Sequence, residues 1–344
     1  MSRFLPELWP LAPASLPLAD PERAWSMILE HTPEVPGWPR LPRRSFLENP
    51  TIQVCEGFPG IIFENDTIYV DDVWERDTLL DKLYIAYLGD DVEHGRIGVE
   101  YAACLGRLLA EEGPAWPETV RAVKGQLVGP LSWALQVLDQ DGSPILYNEN
   151  LLDIVAKHLR LKAGWQAQIL HRSGVASIVL IEEPLLTSLG LASLPIETER
   201  ALGLVQDVLE GVPGLKGIHC TYPVDARVFD LPANILSLDV SHSAEPSANG
   251  LEALREFVKR GGILVWAIVP ADDRIDDTPL EMLADRVRTW LECLAPEEDE
   301  RRHLVAASLL STSDGLGGLS EARAELALAV LSALSRTVRS DYGL

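Results

Sequence analysis

From residue 77 onward the sequence alternates between two hydrophobic periods, and that alternation leaves few folds open. Helical patterns cover about residues 77–88, 98–112, 148–171, 197–209, 250–259, 279–294 and 320–338. Between them lie apolar runs at residues 121–128, 176–181, 217–222, 235–240, 262–269 and 304–310. Short apolar β runs bounded by turn residues suit strands buried on both faces. Strand–helix alternation implies parallel strands with right-handed crossovers. Six strands are counted here, with room for two more before residue 75. Eight would close a (β/α)8 TIM barrel. The short gap between the runs at 217–222 and 235–240 makes one crossover abbreviated.

A length of 344 residues with 47% apolar content allows one large core, so the expectation is a single barrel domain over residues 1–344. Residues 1–75 are irregular and belong to its mouth. Pro33, Pro36, Pro39, Pro42 and Pro50 cut this stretch into extended and turn pieces. Asp20-Pro21-Glu22 starts a helix over residues 22–31. Asn65-Asp66 joins a hairpin between residues 61–64 and 67–70. Net charge is −23, which argues against nucleic acid and against an anionic membrane surface. No apolar run approaches the roughly 18 residues that a membrane span needs. The opening MSRFLPELWPLAP, broken by prolines, does not read as a signal peptide. Four widely spaced cysteines without a CxxC pattern fit reduced thiols in a cytoplasm.

Chemistry in such folds sits where strands end. The richest stretch is residues 216–243, KGIHCTYPVDARVFDLPANILSLDVSHS. Its first run ends in His219, Cys220 and Thr221, its second in Asp239, Ser241 and His242. Strand alternation points Cys220 away from His219 unless the strand has already ended, and Pro223 favours an early end. Glu182-Glu183-Pro184 puts two carboxylates at another strand end, and alternation sends one into the mouth and the other toward the helices. Gly129-Pro130-Leu131-Ser132 lets the backbone turn sharply there. Arg40, Arg43 and Arg44 are the dense basic cluster of an acidic chain, either a solvated loop or an anion clamp at the mouth. SDGLGG, residues 313–318, matches neither a Rossmann fingerprint nor a Walker A pattern and reads as a loop. Trp133 and Trp266 flank strand ends, as core or as walls for a flat ligand.

These motifs carry a resemblance. VKGQLVGPLSW (residues 123–133) and VLIEEPLL (179–186) resemble strand-end motifs of the superfamily that joins cobalamin-independent methionine synthase to uroporphyrinogen decarboxylase. HCTYP, SLDVSHS and STSDGLG follow in the order and spacing of that family's zinc-binding strand ends. The opening ASLPLADPERAW is similar to short single-barrel bacterial members. The resemblance implies a TIM barrel that moves a methyl group from a methylated corrinoid or folate to a thiol such as homocysteine. It implies zinc at His219, Asp239 and Asp314, with Cys220 adjacent to the expected thiolate position. Glu182 and Glu183 would contact an amino acid acceptor, Ser15 its carboxylate, and Gly129, Ser132 and Trp133 would line the substrate site.

The departures are chemical. Thr221 stands where the family has the first zinc cysteine, Asp239 where it has a glutamate, and Asp314 near its second cysteine. Carboxylates make a harder site than thiolates, which keep a zinc-bound thiol nucleophilic. Without metal, His219 and Asp239 read as hydrogen-bonded residues of the barrel top. Three functions stay open: thiol methyltransferase, decarboxylase-type tetrapyrrole binder, and non-catalytic binding partner of a corrinoid protein.

Overall fold

The computed structural model describes residues 4–64, 67–71, 76–110, 116–243, 245–246 and 248–344. Its centre is a parallel six-stranded sheet in sequence order: β3 (Ala122–Val128), β4 (Ala176–Glu182), β5 (Leu215–Thr221), β6 (Ile235–Asp239), β7 (Ile263–Val269) and β8 (Ser308–Thr312). Each adjacent pair is parallel, and the register is continuous except in β7–β8, where it shifts between Ala267 and Val269. A separate antiparallel pair, β1 (Ile61–Glu64) and β2 (Thr67–Val70), forms the expected hairpin, whose Asn65-Asp66 turn lies outside the described residues.

Neither edge of the sheet is left open. Leu8 N–H donates to Ser308 C=O at 2.6 Å and Leu11 N–H to Leu310 C=O at 2.8 Å, so the N-terminal segment climbs beside β8. Ala12 N–H reaches Val35 C=O at 3.2 Å, and Lys124 N–H reaches Pro36 C=O at 2.9 Å, which joins residues 35–37 to β3. Pro10–Leu310, Leu11–Val35 and Gly37–Lys124 are isolated parallel bridges, too short to count as strands. The result is an α/β fold compatible with a TIM-like barrel, with prolines explaining why these two segments pair only in places.

Helices pack outside. The longest, α6 (Glu149–His171), starts where the Asn148 side chain accepts the N–H groups of Asn150 and Leu151. It buries Leu159, Trp165 and Leu170 among others, and carries the β3-to-β4 crossover. The short crossover between β5 and β6 is a 3₁₀ turn, Ala226–Asp230. Two expectations need correction. No helix fills residues 98–110; only Ala103–Leu105 and Gly106–Leu109 are helical, and residues 111–112 lie outside the described set. There, Gly98 N–H is taken by Glu56 at 2.7 Å and Tyr101 C=O by Gln53 at 2.8 Å, which ties the backbone down in an irregular path. The run at 304–310 is split: acidic Glu298, Asp299 and Glu300 open a helix, Glu298–Ala306, and β8 begins only at Ser308.

The barrel interior has an apolar floor. Leu11, Val35, Ala122, Ile178, Leu180, Ile235, Ile263, Val265 and Leu309 form one buried cluster, separate from the larger core between sheet and helices. Fully burying an aliphatic side chain contributes about 1.5–3 kcal/mol, so this floor holds the six strands and the two edge segments together from the concave side. Gly217 admits it: a Cβ there would sit 2.6 Å from the Leu180 side chain and 2.7 Å from Ile235. What stands on the floor is polar.

Candidate active site

Strand alternation gives each strand one inward residue per two steps, and the inward positions change character toward the C-terminal ends. On β4, Ile178 and Leu180 give way to Glu182; on β5, Gly217 to His219; on β6, Ile235 to Ser237 and then Asp239. Glu182 pairs in register with His219, and His219 with Ser237. Lys124, from β3, joins them. A pocket of about 20 Å³ is lined by Lys124, Glu182, His219, Ser237, Thr312 and Asp314, with Leu11, Pro13 and Ala14 on one side.

Hydrogen bonds fix this layer. Arg40 Nη2 meets Glu182 Oε2 at 2.5 Å, with side-chain exposures of 3% and 18%, so this is a buried ion pair. Lys124 Nζ donates to Ala12 C=O at 3.0 Å. His219 Nδ1 lies 2.8 Å from Ser237 Oγ. Burial pushes the Lys124 ammonium down to about 8, aided by Arg40 and opposed by Glu182. Burial would push the Glu182 carboxyl up, but Arg40, Lys124 and His219 outweigh it and hold it below the usual range. Glu182 is therefore ionised, and its first partner is Arg40.

Glu183 goes the other way. It is fully buried toward the helix layer, where it accepts Leu131 N–H at 2.8 Å and both the N–H and hydroxyl of Ser132. These donors open α5 (Pro130–Gln136), so Glu183 caps a short helix. Burial nevertheless pushes its carboxyl up to about 7 against those hydrogen bonds. Gly129 is glycine because a Cβ there would lie 2.3 Å from Glu183 Oε2. Trp133 is also buried, donates to Thr51 C=O at 2.9 Å and stacks edge-on against Phe58. Gly129, Ser132, Trp133 and Glu183 thus support the mouth from behind and do not line the pocket.

Cys220 requires a correction. β5 runs on through Thr221, so the condition that would let this thiol share a metal with His219 is not met. Cys220 lies in the sheet–helix core, where burial and then the charges of Glu183 and Asp239 push its thiol up to about 12. The other expected ligands are also engaged. Asp239 Oδ1 accepts Ser241 N–H at 2.9 Å, and Asp314 Oδ1 accepts Gly315 N–H at 2.6 Å. Among the described residues no group of three or more His, Cys, Asp or Glu side chains is arranged to hold a metal ion. Zinc does not fit this donor set as it stands: one imidazole, an arginine-bound carboxylate and a cysteine facing the wrong layer.

Ser15 sits under the SDGLGG loop. Its hydroxyl accepts Gly317 N–H at 3.0 Å and its C=O accepts Leu316 N–H at 2.9 Å. A Cβ on Gly315 would come within 2.3 Å of Ser15 Oγ, so this glycine is needed for close approach. Through its neighbours, Leu16 N–H to Arg40 C=O and Arg40 N–H to Ala14 C=O, the segment also positions Arg40. Of the three arginines only Arg40 enters the mouth; Arg43 binds Leu319 C=O and Arg44 binds Glu48.

Sequence reasoning missed Lys124 and Ser237. Lys124 carried a readable signal: a lone lysine within AVKGQLV, in a strand expected to be buried on both faces, has to be paired or functional. Larger cavities lie elsewhere, including one of about 780 Å³ among the strand starts at Ala176, Leu215 and Ile263. It holds none of the strand-end polar residues.

No protein-family model and no curated protein matches this sequence. Solved structures do match over nearly the whole chain. A methyltransferase from Methanosarcina mazei is 13% identical with a TM-score of 0.60, covering 100% of this chain and 96% of its own. A B12-independent methionine synthase from Shewanella sp. W3-18-1, in complex with selenomethionine, is 14% identical with a TM-score of 0.57, covering 98% and 96%. At these identities the likeness is one of fold: this chain shares its overall architecture with these two solved structures.

Proposed function

We propose that the chain is a single-domain (β/α)8 enzyme that transfers a methyl group to the thiol of a small amino acid acceptor. Residues 8–12 and 35–37 act as the first two staves of the barrel. The methyl donor is a methylated corrinoid or a folate. One observation carries the reading: His219 stands in a strand-end polar layer with Nδ1 fixed on Ser237, which aims its other ring nitrogen. That nitrogen takes the thiol proton, a role zinc would otherwise make unnecessary. The thiolate sulfur then forms the new carbon–sulfur bond, and the bond from methyl to its carrier breaks with its electron pair left on the carrier. Asp239, one inward step above Ser237, offers the acceptor's ammonium the carboxylate oxygen that Ser241 N–H does not hold, because Glu182 is committed to Arg40.

The test is direct. Purified protein is incubated with methylcobalamin or methyltetrahydrofolate plus homocysteine, and thioether formation is followed by mass spectrometry. His219→Ala should lower the rate about 10²–10⁴-fold, the range of general-base contributions. Absence of thioether with either donor sinks methyl transfer. The second reading, a non-catalytic barrel that binds a corrinoid protein, is favoured by the smallness of the pocket, about 20 Å³. Methyl-donor turnover at the wild-type rate in His219→Ala would remove the assigned base while leaving the class intact.

A further inference from the structure

The buried part of the polar layer has more positive charge and more N–H donors than the protein itself satisfies. Arg40 is 2% exposed and Lys124 4% exposed. Among the described residues, Arg40 Nε and Nη1 are buried without any acceptor; Arg40 stands behind Glu182 and adds its charge to the pocket without lining it. Lys124 has three N–H bonds and a single acceptor, Ala12 C=O. Orphaned buried donors in a folded protein call for an unseen partner, and a charged one is costlier to leave alone than a neutral one. Two cations face one buried carboxylate, Glu182. The other groups at the pocket are His219, held by Ser237, and Asp314, which is solvent-exposed and engaged with Gly315.

We infer that the floor of the mouth is a binding site for one compact monoanion, of the size of chloride or formate, held by Lys124 beside the Arg40–Glu182 pair. Size selects the class. The pocket measures about 20 Å³, close to the volume one water needs, so it suits a compact anion better than a carboxylate carried on a larger molecule. Charge selects it again. The buried surplus of one positive charge is neutralised by a monoanion and overshot by a dianion such as phosphate. Ala12 ties the anion to the fold, because the lysine that would hold it is already bonded to the N-terminal segment that pairs with β8. Occupancy therefore stabilises the closed mouth. The anion shares the pocket that holds His219, but its binding does not rest on the methyl-transfer reading: it is measured whether or not any methyl group moves.

The full-length protein is exchanged into chloride-free gluconate buffer and titrated with sodium chloride, formate, phosphate or N-acetylglycine at constant ionic strength. Binding is read by calorimetry and by the thermal midpoint. Chloride and formate should bind one per chain and raise the midpoint with concentration, as a ligand of the native state must. Phosphate and N-acetylglycine should bind at least tenfold more weakly. Lys124→Met should lose binding by tenfold or more, whereas Glu182→Gln, which adds to the surplus, should gain it. In wild type, affinity should fall as pH rises past 8 and binding should take up protons there, because the ammonium is the form that binds. A midpoint indifferent to chloride and formate means water alone occupies the pocket and overturns the proposal, as does equal binding by Lys124→Met. N-acetylglycine binding as tightly as formate would show an open substrate subsite in place of a closed one.

Discussion

Arg40 and Glu182 meet across 142 residues of sequence, and removing one partner should be far worse than removing both. Arg40→Met leaves an ionised carboxylate that is 18% exposed and has lost its shortest contact. Breaking a buried pair from one side costs about 3–5 kcal/mol. Lys124 remains within electrostatic reach of Glu182, which places this case near the low end, about 3 kcal/mol. In urea, with a slope of about 3 kcal/mol/M, the unfolding midpoint should fall by about 1 M. The double variant Arg40→Met/Glu182→Gln removes both charges at similar volume and should sit within about 1–2 kcal/mol of wild type. The coupling between the two positions is then at least about 1 kcal/mol. The pH dependence has a definite sign. The folded Glu182 carboxyl lies below its unfolded value, so its stabilisation is present above the unfolded value and is lost as pH falls through the folded one. The wild-type excess over the double variant should therefore shrink in acid. Tryptophan fluorescence reports all of this, since Trp38, Trp133 and Trp266 are buried. Additive costs, or a single variant losing less than about 1 kcal/mol, would falsify the buried-pair account.

Three further outcomes are expected. Glu183→Ala should cost about 2–4 kcal/mol by stranding the Leu131 and Ser132 donors; Glu183→Gln should cost less, and should abolish a loss of stability that wild type shows as pH rises from 4.5 toward 7, where its raised carboxyl ionises. His158 is fully buried with Nε2 on Val54 C=O, and burial, then Lys162, holds it well below 6.5, so stability should fall below pH 6.5 by up to about 1.4 kcal/mol per unit; His158→Gln, measured by acid unfolding, should flatten that slope. With a thiol reagent the native protein should react quickly at Cys293 alone, since Cys55, Cys104 and Cys220 are buried and burial pushes each of those thiols up; rapid labelling of Cys220 would mean the end of β5 opens.

The architecture was legible because two periods were written along the chain. The runs at 121–128, 176–181, 217–222, 235–240 and 262–269 all proved to be strands within a residue or two, since a strand buried on both faces has to be continuously apolar. The segments that cover the two edges of the sheet were not legible. Residues 8–12 and 35–37 are short, proline-flanked and held by long-range bridges that no local pattern encodes. In the site, Glu182 and Glu183 differ only by which way a pleat points, and the strand end after Glu182 could be read. Cys220 could not be settled the same way, because Pro223 suggested an end that β5 reaches only after Thr221. The role of Arg40 depended on Glu182, far away in sequence, so a basic cluster looked like surface until the fold brought them together.

Net charge was a poor guide to the mouth, for a reason of scale. The chain carries −23, yet the buried layer built by Arg40, Lys124 and Glu182 is cationic. Charges on the acidic outer surface are screened over about 8 Å at physiological ionic strength. The pairs inside interact over a few ångström in a medium of much lower dielectric constant, where each contact outweighs many remote ones. An acidic exterior and an anion-seeking interior are therefore compatible. The same reasoning bears on the missing thiolates. A zinc–thiolate centre would bring negative ligands to the strand ends, whereas this chain has Thr221 there and keeps Cys220 behind the sheet. With no thiolate there, Lys124 and Arg40 face a single buried carboxylate, Glu182, and one positive charge is left over. Thr221 in place of a thiolate and the presence of a buried lysine are thus one electrostatic arrangement.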